Sequence, residues 1–205
     1  MHITSPSDIV IQEKLKESNH SVIFRVAMKG REYAMKVVNP FVCESKAYRR
    51  LRDTRLCERG VVPDFHRTIE KLDPTQYPQL SMFINDERPP SAIIKEYIPN
   101  MEPINVSNYA ERRMIRLREI LDDIHNANIV HGDPWPRNMM VCSRQNSRVL
   151  WIDLDSAQTF DERPFTSRQD GWIKEEDRVL DYFILALGSD HKEGKLARAS
   201  SYNYS

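Results

Sequence analysis

The pattern of apolar and polar positions divides the chain into a strand-rich opening and a helix-rich remainder. Ile9-Val10-Ile11, then residues 22–26 and 33–38, are β-rich runs separated by polar turns, with Lys29-Gly30-Arg31 as the hairpin turn between the last two. Asn39-Pro40 reads as an N-cap and first helical residue. In the helix that follows, Glu44, Ala47, Tyr48 and Leu51 share a face by i, i+3, i+4, i+7 spacing. Residues 52–90 carry less pattern: Val61-Val62-Pro63 opens a strand, and 73–78 and 85–90 are turn-rich insertions. Residues 91–98 form an apolar strand running into a connector stopped by Pro99.

The second half is helical with a short hairpin inside it. Asn108-x-x-Glu111 resembles a capping box, and Ala110, Met114, Leu117, Leu121 and Ile124 form a helical stripe that stops at Asn126-Ala127-Asn128. Met139-Met140-Val141 and Val149-Leu150-Trp151-Ile152 are short apolar runs with the look of buried strands. A last helix is predicted over 168–187, with Trp172, Leu180, Phe183, Ile184 and Leu187 apolar, closed by Gly188. Residues 189–205 are polar and Ser-rich and read as a disordered tail. The class is α+β.

Composition narrows this picture. At 205 residues the chain is one domain or a compact two-lobed unit. Thirty basic and thirty acidic side chains cancel, so overall charge calls for neither nucleic acid nor an anionic membrane. Arg112, Arg113, Arg116 and Arg118 accordingly read as a solvated helix face. Cys43, Cys57 and Cys142 form no C-x-x-C pair, a pattern of a reducing, intracellular and cytoplasmic setting. No apolar run approaches the ~18 residues of a membrane span, and there is no signal-peptide core.

The chemistry concentrates in His131-Gly132-Asp133-Pro134-Trp135-Pro136-Arg137-Asn138 and, fifteen residues after its end, Asp153-Leu154-Asp155. A hairpin of the two intervening strands brings Asp133, Asn138 and Asp153 to one end of a sheet. Three such oxygen donors suit a hard divalent cation such as Mg²⁺, and a spare carboxylate can orient a hydroxyl, the needs of phosphoryl transfer. Lys36 lies inside an apolar strand, so an inward ammonium needs an anion; alone, an exposed lysine is the commoner outcome. Glu44 on an apolar face can meet it, or can sit at the boundary with Lys46 or Arg50. His125 and His131 lack zinc-ligand spacing.

His131-Gly132-Asp133 with Asn138, followed by Asp153, resembles the catalytic loop and D-F-G aspartate of the protein-kinase-like superfamily. The likeness is strongest to small divergent fungal members, with features shared with aminoglycoside and choline phosphotransferases. It implies a minimal bilobal fold: a β-rich N-lobe over about 8–96 with one helix, a hinge over about 96–99, and a mostly helical C-lobe over about 100–188, truncated after its central helix. It implies ATP and Mg²⁺ as cofactors and a protein or small-molecule hydroxyl as acceptor. Lys36, steadied by Glu44, corresponds to the phosphate-contacting lysine, and Asp133 to the base. Asn138 and Asp153 correspond to the metal ligands, and Glu96, Tyr97 and Ile98 to the adenine-facing hinge, while His131 corresponds to a packing residue.

The departures matter too. Residues 16–21 contain no glycine where a Gly-rich phosphate loop belongs. Gly132 replaces an arginine, Trp135 a lysine and Asp155 a glycine, with Arg137 as a substitute cation. Residues 156–171 are short for an activation segment, and no A-P-E follows. The alternative is a pseudokinase, a nucleotide-binding interaction module without turnover.

Overall fold

Alternation builds the first sheet. Strand β2 (Ser21–Met28) buries every second residue, Val22, Phe24, Val26 and Met28, and leaves the others half-exposed. It pairs with β1 (Val10–Glu17) on one side and β3 (Arg31–Val38) on the other. The β2–β3 turn is the expected Lys29-Gly30, both residues with positive φ (50° and 74°), as a tight two-residue hairpin requires. Strands β4 (Phe65–Ile69) and β5 (Ser91–Glu96) complete an antiparallel sheet of order β1-β2-β3-β5-β4. The computed structural model describes residues 9–39, 42–142, 148–161 and 163–195.

One face of the sheet closes on a cluster of Val22, Phe24, Met35, Val37, Leu80 and Phe83. The other receives helix α1 (Val42–Asp53), whose buried face is Glu44, Ser45, Ala47, Tyr48 and Leu51. That helix joins the larger core. Helix α2 (Glu111–Asn126) contributes Met114, Leu117, Ile120, Leu121 and Ile124, and α3 (Ser167–Lys192) contributes Leu180, Phe183 and Leu187. Between them lies the expected hairpin, β8 (Met139–Cys142) and β9 (Arg148–Trp151), antiparallel with Met139 opposite Trp151. Trp151 is fully buried and its indole Nε1 donates to the Leu117 carbonyl at 2.9 Å, fastening the hairpin to α2. The minor strands are β6 (Met101–Pro103), on the β8 edge, and β7 (Ile129–Val130) paired with β10 (Gln158–Thr159). The architecture is α+β, and among the described residues no helix is long and apolar enough to cross a membrane.

Several boundaries differ from the sequence reading, each for a local reason. Val61-Val62-Pro63 is buried bend rather than strand, and the strand begins at Phe65, past Pro63, which has no N–H to give a ladder. The 73–78 insertion and the residues after it wind into 3₁₀ turns, Pro74–Gln76 and Pro78–Phe83, the first capped by Asp73. Asn108 does not cap α2: its Oδ1 accepts from the Asn105 N–H, and Ala110 holds the N-cap position without a side-chain bond. Helix α3 has the true capping box, Thr166 with Gln169. It also runs past Gly188 to Lys192, so residues 189–192 are helix, not tail. Gly188 is a packing glycine, since a Cβ there would lie 2.9 Å from the Tyr109 hydroxyl. Trp172 is an exposed aromatic on α3 rather than core. Pro40 of the proposed Asn39-Pro40 cap and residues 196–205 of the expected tail lie outside the described residues.

Candidate active site

The loop after β7 is held from below by one carboxylate. Glu176 of α3 accepts from the His131 N–H at 3.0 Å through Oε2 and from the Gly132 N–H at 2.5 Å through Oε1. The same Oε2 lies 2.8 Å from His125 Nε2 of α2. Three elements thus converge on a buried acid. The His131 ring packs tilted against Trp151, and its Nε2 meets the Ile152 carbonyl at 3.1 Å, the packing role expected of it. Burial lowers its pKa and keeps the ring neutral. Gly132 has φ +83°, and a Cβ there would come within 2.3 Å of the Ser156 carbonyl. A larger side chain has no room at this position.

Asp133 is gripped at both oxygens. Oδ1 accepts from Arg137 Nη2 at 2.6 Å and Oδ2 from Asn138 Nδ2 at 2.6 Å. Asn138 Nδ2 also reaches the Asp133 carbonyl at 2.9 Å. A 3₁₀ turn, Pro136–Asn138, makes these bonds possible by folding the chain back on itself before β8. Arg137 therefore supplies the cation beside the acid that Trp135 does not: Trp135 packs against Phe183 at 5.0 Å. The Ile152 N–H donates to the Asn138 carbonyl at 3.0 Å, which sets Asp153 next to this loop.

Across from the loop sits a network of five charged side chains. Lys36 Nζ of β3 lies 2.7 Å from Asp153 Oδ1, 2.6 Å from Asp155 Oδ1 and 3.1 Å from Glu44 Oε2. Glu44 Oε1 accepts from Lys95 Nζ of β5 at 2.6 Å, and that ammonium also stands over the Tyr48 ring. Neither Lys46 nor Arg50 takes Glu44; they turn to Asp161. Burial works to lower the Lys36 pKa, but Glu44, Asp153 and Asp155 outweigh it and hold it above the ordinary lysine range. Burial likewise works to raise Glu44, and Lys95 and Lys36 overcome it, so Glu44 is firmly ionised. Asp153 is depressed by Lys36 against the effect of its own burial. Asp155 goes the other way: burial and its closeness to Glu44 raise it to about 7.

Carboxylate oxygens of Glu44, Asp153 and Asp155 lie within 4.8 Å of one another, a hard-donor set that suits Mg²⁺. The Lys36 ammonium now stands among them. Asn138, expected as a metal ligand beside Asp153, spends its Nδ2 on Asp133 and keeps its Oδ1 for other partners.

The residues expected at the hinge divide by face. Lys95 points inward, so Glu96 points to the back, where Arg148 holds its carboxylate at 2.9 and 3.0 Å. The Glu96 N–H is taken by the Asp64 carbonyl at 2.8 Å. Ile98 joins Met140, Cys142 and Leu150 in a small apolar cluster. At the 16–21 turn, Ser18 Oγ accepts from the His20 and Ser21 N–H groups at 3.4 and 3.2 Å. The donors that a phosphate loop would present are occupied by a neighbouring hydroxyl.

With this geometry established, the whole chain superposes on a known structure. All of it, and 79% of the other chain, aligns with the crystal structure of a Stt7 homolog from Micromonas algae soaked with ATP, at a TM-score of 0.64 and 15% identity. The fold is protein-kinase-like. No family model matches the sequence, and no curated protein matches it. Within the kinase-like fold, Lys36, Glu44, Asp153 and Asp155 are in mutual contact, and Asp133 and Asn138 are bonded to each other one loop away. Sequence reasoning missed Lys95 and Glu176. The signal for Glu176 was present, since it falls in register with Leu180, Phe183 and Leu187, the same clue that singled out Glu44.

Proposed function

We propose that the chain is an ATP- and Mg²⁺-dependent phosphotransferase that moves the γ-phosphoryl group to a protein or small-molecule hydroxyl. The observation that carries this reading is the 2.7 Å contact of Lys36 with Asp153, residues 117 positions apart, beside a two-handed Asp133. In this reading a cleft runs between an N-lobe over about 8–96 and a C-lobe over about 100–188, joined at 96–99. Lys36 leaves its carboxylates to contact the α/β-phosphates, while Lys95 keeps Glu44 in place behind it. Asp153 with Asn138 would hold Mg²⁺, which neutralises charge on the phosphate oxygens. Asp133, fixed by Arg137 and Asn138, orients the acceptor hydroxyl and takes its proton. The Glu96 carbonyl and the backbone of Tyr97 and Ile98 face the adenine edge. The setting is intracellular and cytoplasmic.

A second reading has its own support. The closed Ser18 turn, with no glycine and no free N–H cradle, favours a module that binds nucleotide without turning it over. One pair of measurements separates the two: thermal stabilisation by Mg·ATP and release of phosphate, for wild type and Asp133→Asn. The phosphotransferase reading expects binding in both proteins and a turnover loss of about 100-fold or more in the variant. Binding without turnover in either protein selects the module. No stabilisation of either protein by Mg·ATP overturns both.

A further inference from the structure

Away from the charged cleft, on the back of the hinge, is a cavity of about 420 Å³ whose wall holds five arginines: Arg59, Arg112, Arg113, Arg116 and Arg148. The remaining wall is glycine and valine, so neither a carboxylate nor an aromatic ring faces it. In a chain of zero net charge this is a marked local excess. Three of them, Arg112, Arg113 and Arg116, stand on α2, Arg148 on β9 and Arg59 in the turn after α1. Arg148 is fixed on β9 by Glu96 and by the Gly60 carbonyl at 2.8 Å. A Cβ on Gly60, whose φ is +67°, would lie 3.3 Å from Arg148 Nε, so glycine there lets the guanidinium seat. Arg59 reaches Asp123 at 2.6 Å and Arg116 reaches Glu119 at 2.7 Å, both partly exposed pairs. Among the described residues Arg112 and Arg113 face no carboxylate. Arg113 donates through Nη1 to the Asn108 carbonyl and keeps a buried Nε with no partner.

We infer that this cavity binds a phosphate monoester. Two guanidinium charges without a carboxylate complement a dianion. Planar guanidinium forks from α2, β9 and the turn after α1 match the oxygens of a phosphate group better than they match a spherical anion. The volume lies within the range of small-ligand pockets, about 300–1,000 Å³, and exceeds a bare phosphate, leaving space for the carrier of the ester. A nucleic acid is the weaker fit, since no side chain lines the wall on which a base could stack. The ester is a free small metabolite or a phosphorylated side chain of a partner protein. The cavity shares no residue with the Lys36 network and meets the proposed nucleotide site only through Arg148, which holds the hinge residue Glu96.

The test is titration of the full chain, without ATP, followed by NMR of arginine side chains and by thermal shift. The probes are phosphoserine, a phosphoserine-containing peptide, its unphosphorylated form and a single-stranded oligonucleotide, all at matched ionic strength. Phosphoserine is expected to perturb the wild-type arginine signals, and Arg112→Glu to weaken its binding by about tenfold or more, the loss of one charge-assisted contact and the gain of a like charge. Mg·ATP affinity stays unchanged in that variant. Equal affinity for phosphoserine and phosphopeptide identifies a small ester, and tighter peptide binding identifies a protein partner. The inference is overturned if phosphoserine does no more than chloride, if Arg112→Glu binds as wild type, or if the oligonucleotide binds the tightest.

Discussion

The loop at Asp133 and the network at Lys36 solve the same problem, holding charge in a partly buried place, in opposite ways. The loop is wired by hydrogen bonds that close within the protein: Glu176 to two backbone N–H groups and His125, Asp133 to Arg137 and Asn138. The network is two ammonium groups against three carboxylates, and its contacts are exchangeable. Lys36 bonds Asp153 and Asp155, and in the proposed reading a phosphate takes the ammonium and a cation the carboxylates. The loop is preorganised and the network is provisional. Preorganised polar groups cost little reorganisation when charge develops beside them, whereas a network of ion pairs must first be broken to admit a ligand.

The largest expected effect comes from breaking the wired side. Glu176→Ala leaves the His131 and Gly132 N–H groups and His125 without their shared acceptor. The loss is about 3–5 kcal/mol of stability, as for other broken buried pairs, read as a lowered urea midpoint with unchanged m-value. A loss under about 1 kcal/mol would show that the loop holds itself. Next in size is Lys95→Met. Glu44 then keeps Lys36 alone, and the expected cost is about 2 kcal/mol, smaller because one partner remains. If stability instead rises, Lys95 is an expensive buried charge and not the keeper of Glu44.

How far the sequence could be read follows the same contrast. Most of the provisional residues were legible: Glu44 stood out on the apolar face of α1, and Lys36, ambiguous alone in its apolar strand, was singled out by the motifs downstream, whereas Lys95 in an equally apolar strand was not. The strands around the hairpin were legible from their apolar runs and the β2–β3 turn from Lys-Gly. What was not legible was partnership. Nothing in one dimension tells that Lys95, five places into β5, meets Glu44 while its neighbour Glu96 meets Arg148. That division depends on which face of β5 points inward. Nor does Asn108 reveal that it will bond Asn105 and leave α2 uncapped. Gly188 looked like a stop because glycine ends helices often, yet here it makes room for Tyr109.

A smaller effect sharpens the picture of the network through pH. The Asp155 carboxyl is raised from 3.8 to about 7 in the folded protein, chiefly by burial. The folded state therefore holds this proton more tightly than the unfolded chain. Its stabilising contribution is full below 3.8 and is lost as pH rises toward about 7. Glu44 has the opposite sign: its depressed pKa gives stability that is present above 4.5 and lost as pH falls below it. Asn mimics the protonated acid, so Asp155→Asn should remove the decline in stability between about pH 4 and 7 and leave the acid limb intact. Parallel wild-type and variant curves across that interval would mean that Asp155 does not carry the proton.

The smallest expected effect tests whether the closed β1–β2 turn limits nucleotide affinity in the proposed reading. Ser18 Oγ takes the His20 and Ser21 N–H groups, and both are what a phosphate would seek. Ser18→Gly releases them and lets the backbone approach more closely, at a cost to the turn of about 0.5–1 kcal/mol in chain entropy. Mg·ATP binding should tighten by about threefold, less than 1 kcal/mol, because the new contacts must first order a turn that the serine had ordered already. The comparison that decides is Ser18→Ala, which releases the same N–H groups without extra backbone freedom. If both variants tighten binding, the serine was competing with phosphate for those donors. If only glycine helps, close backbone approach was the missing element, and if neither does, the turn lies beyond the reach of the phosphates and the cleft binds from Lys36 alone.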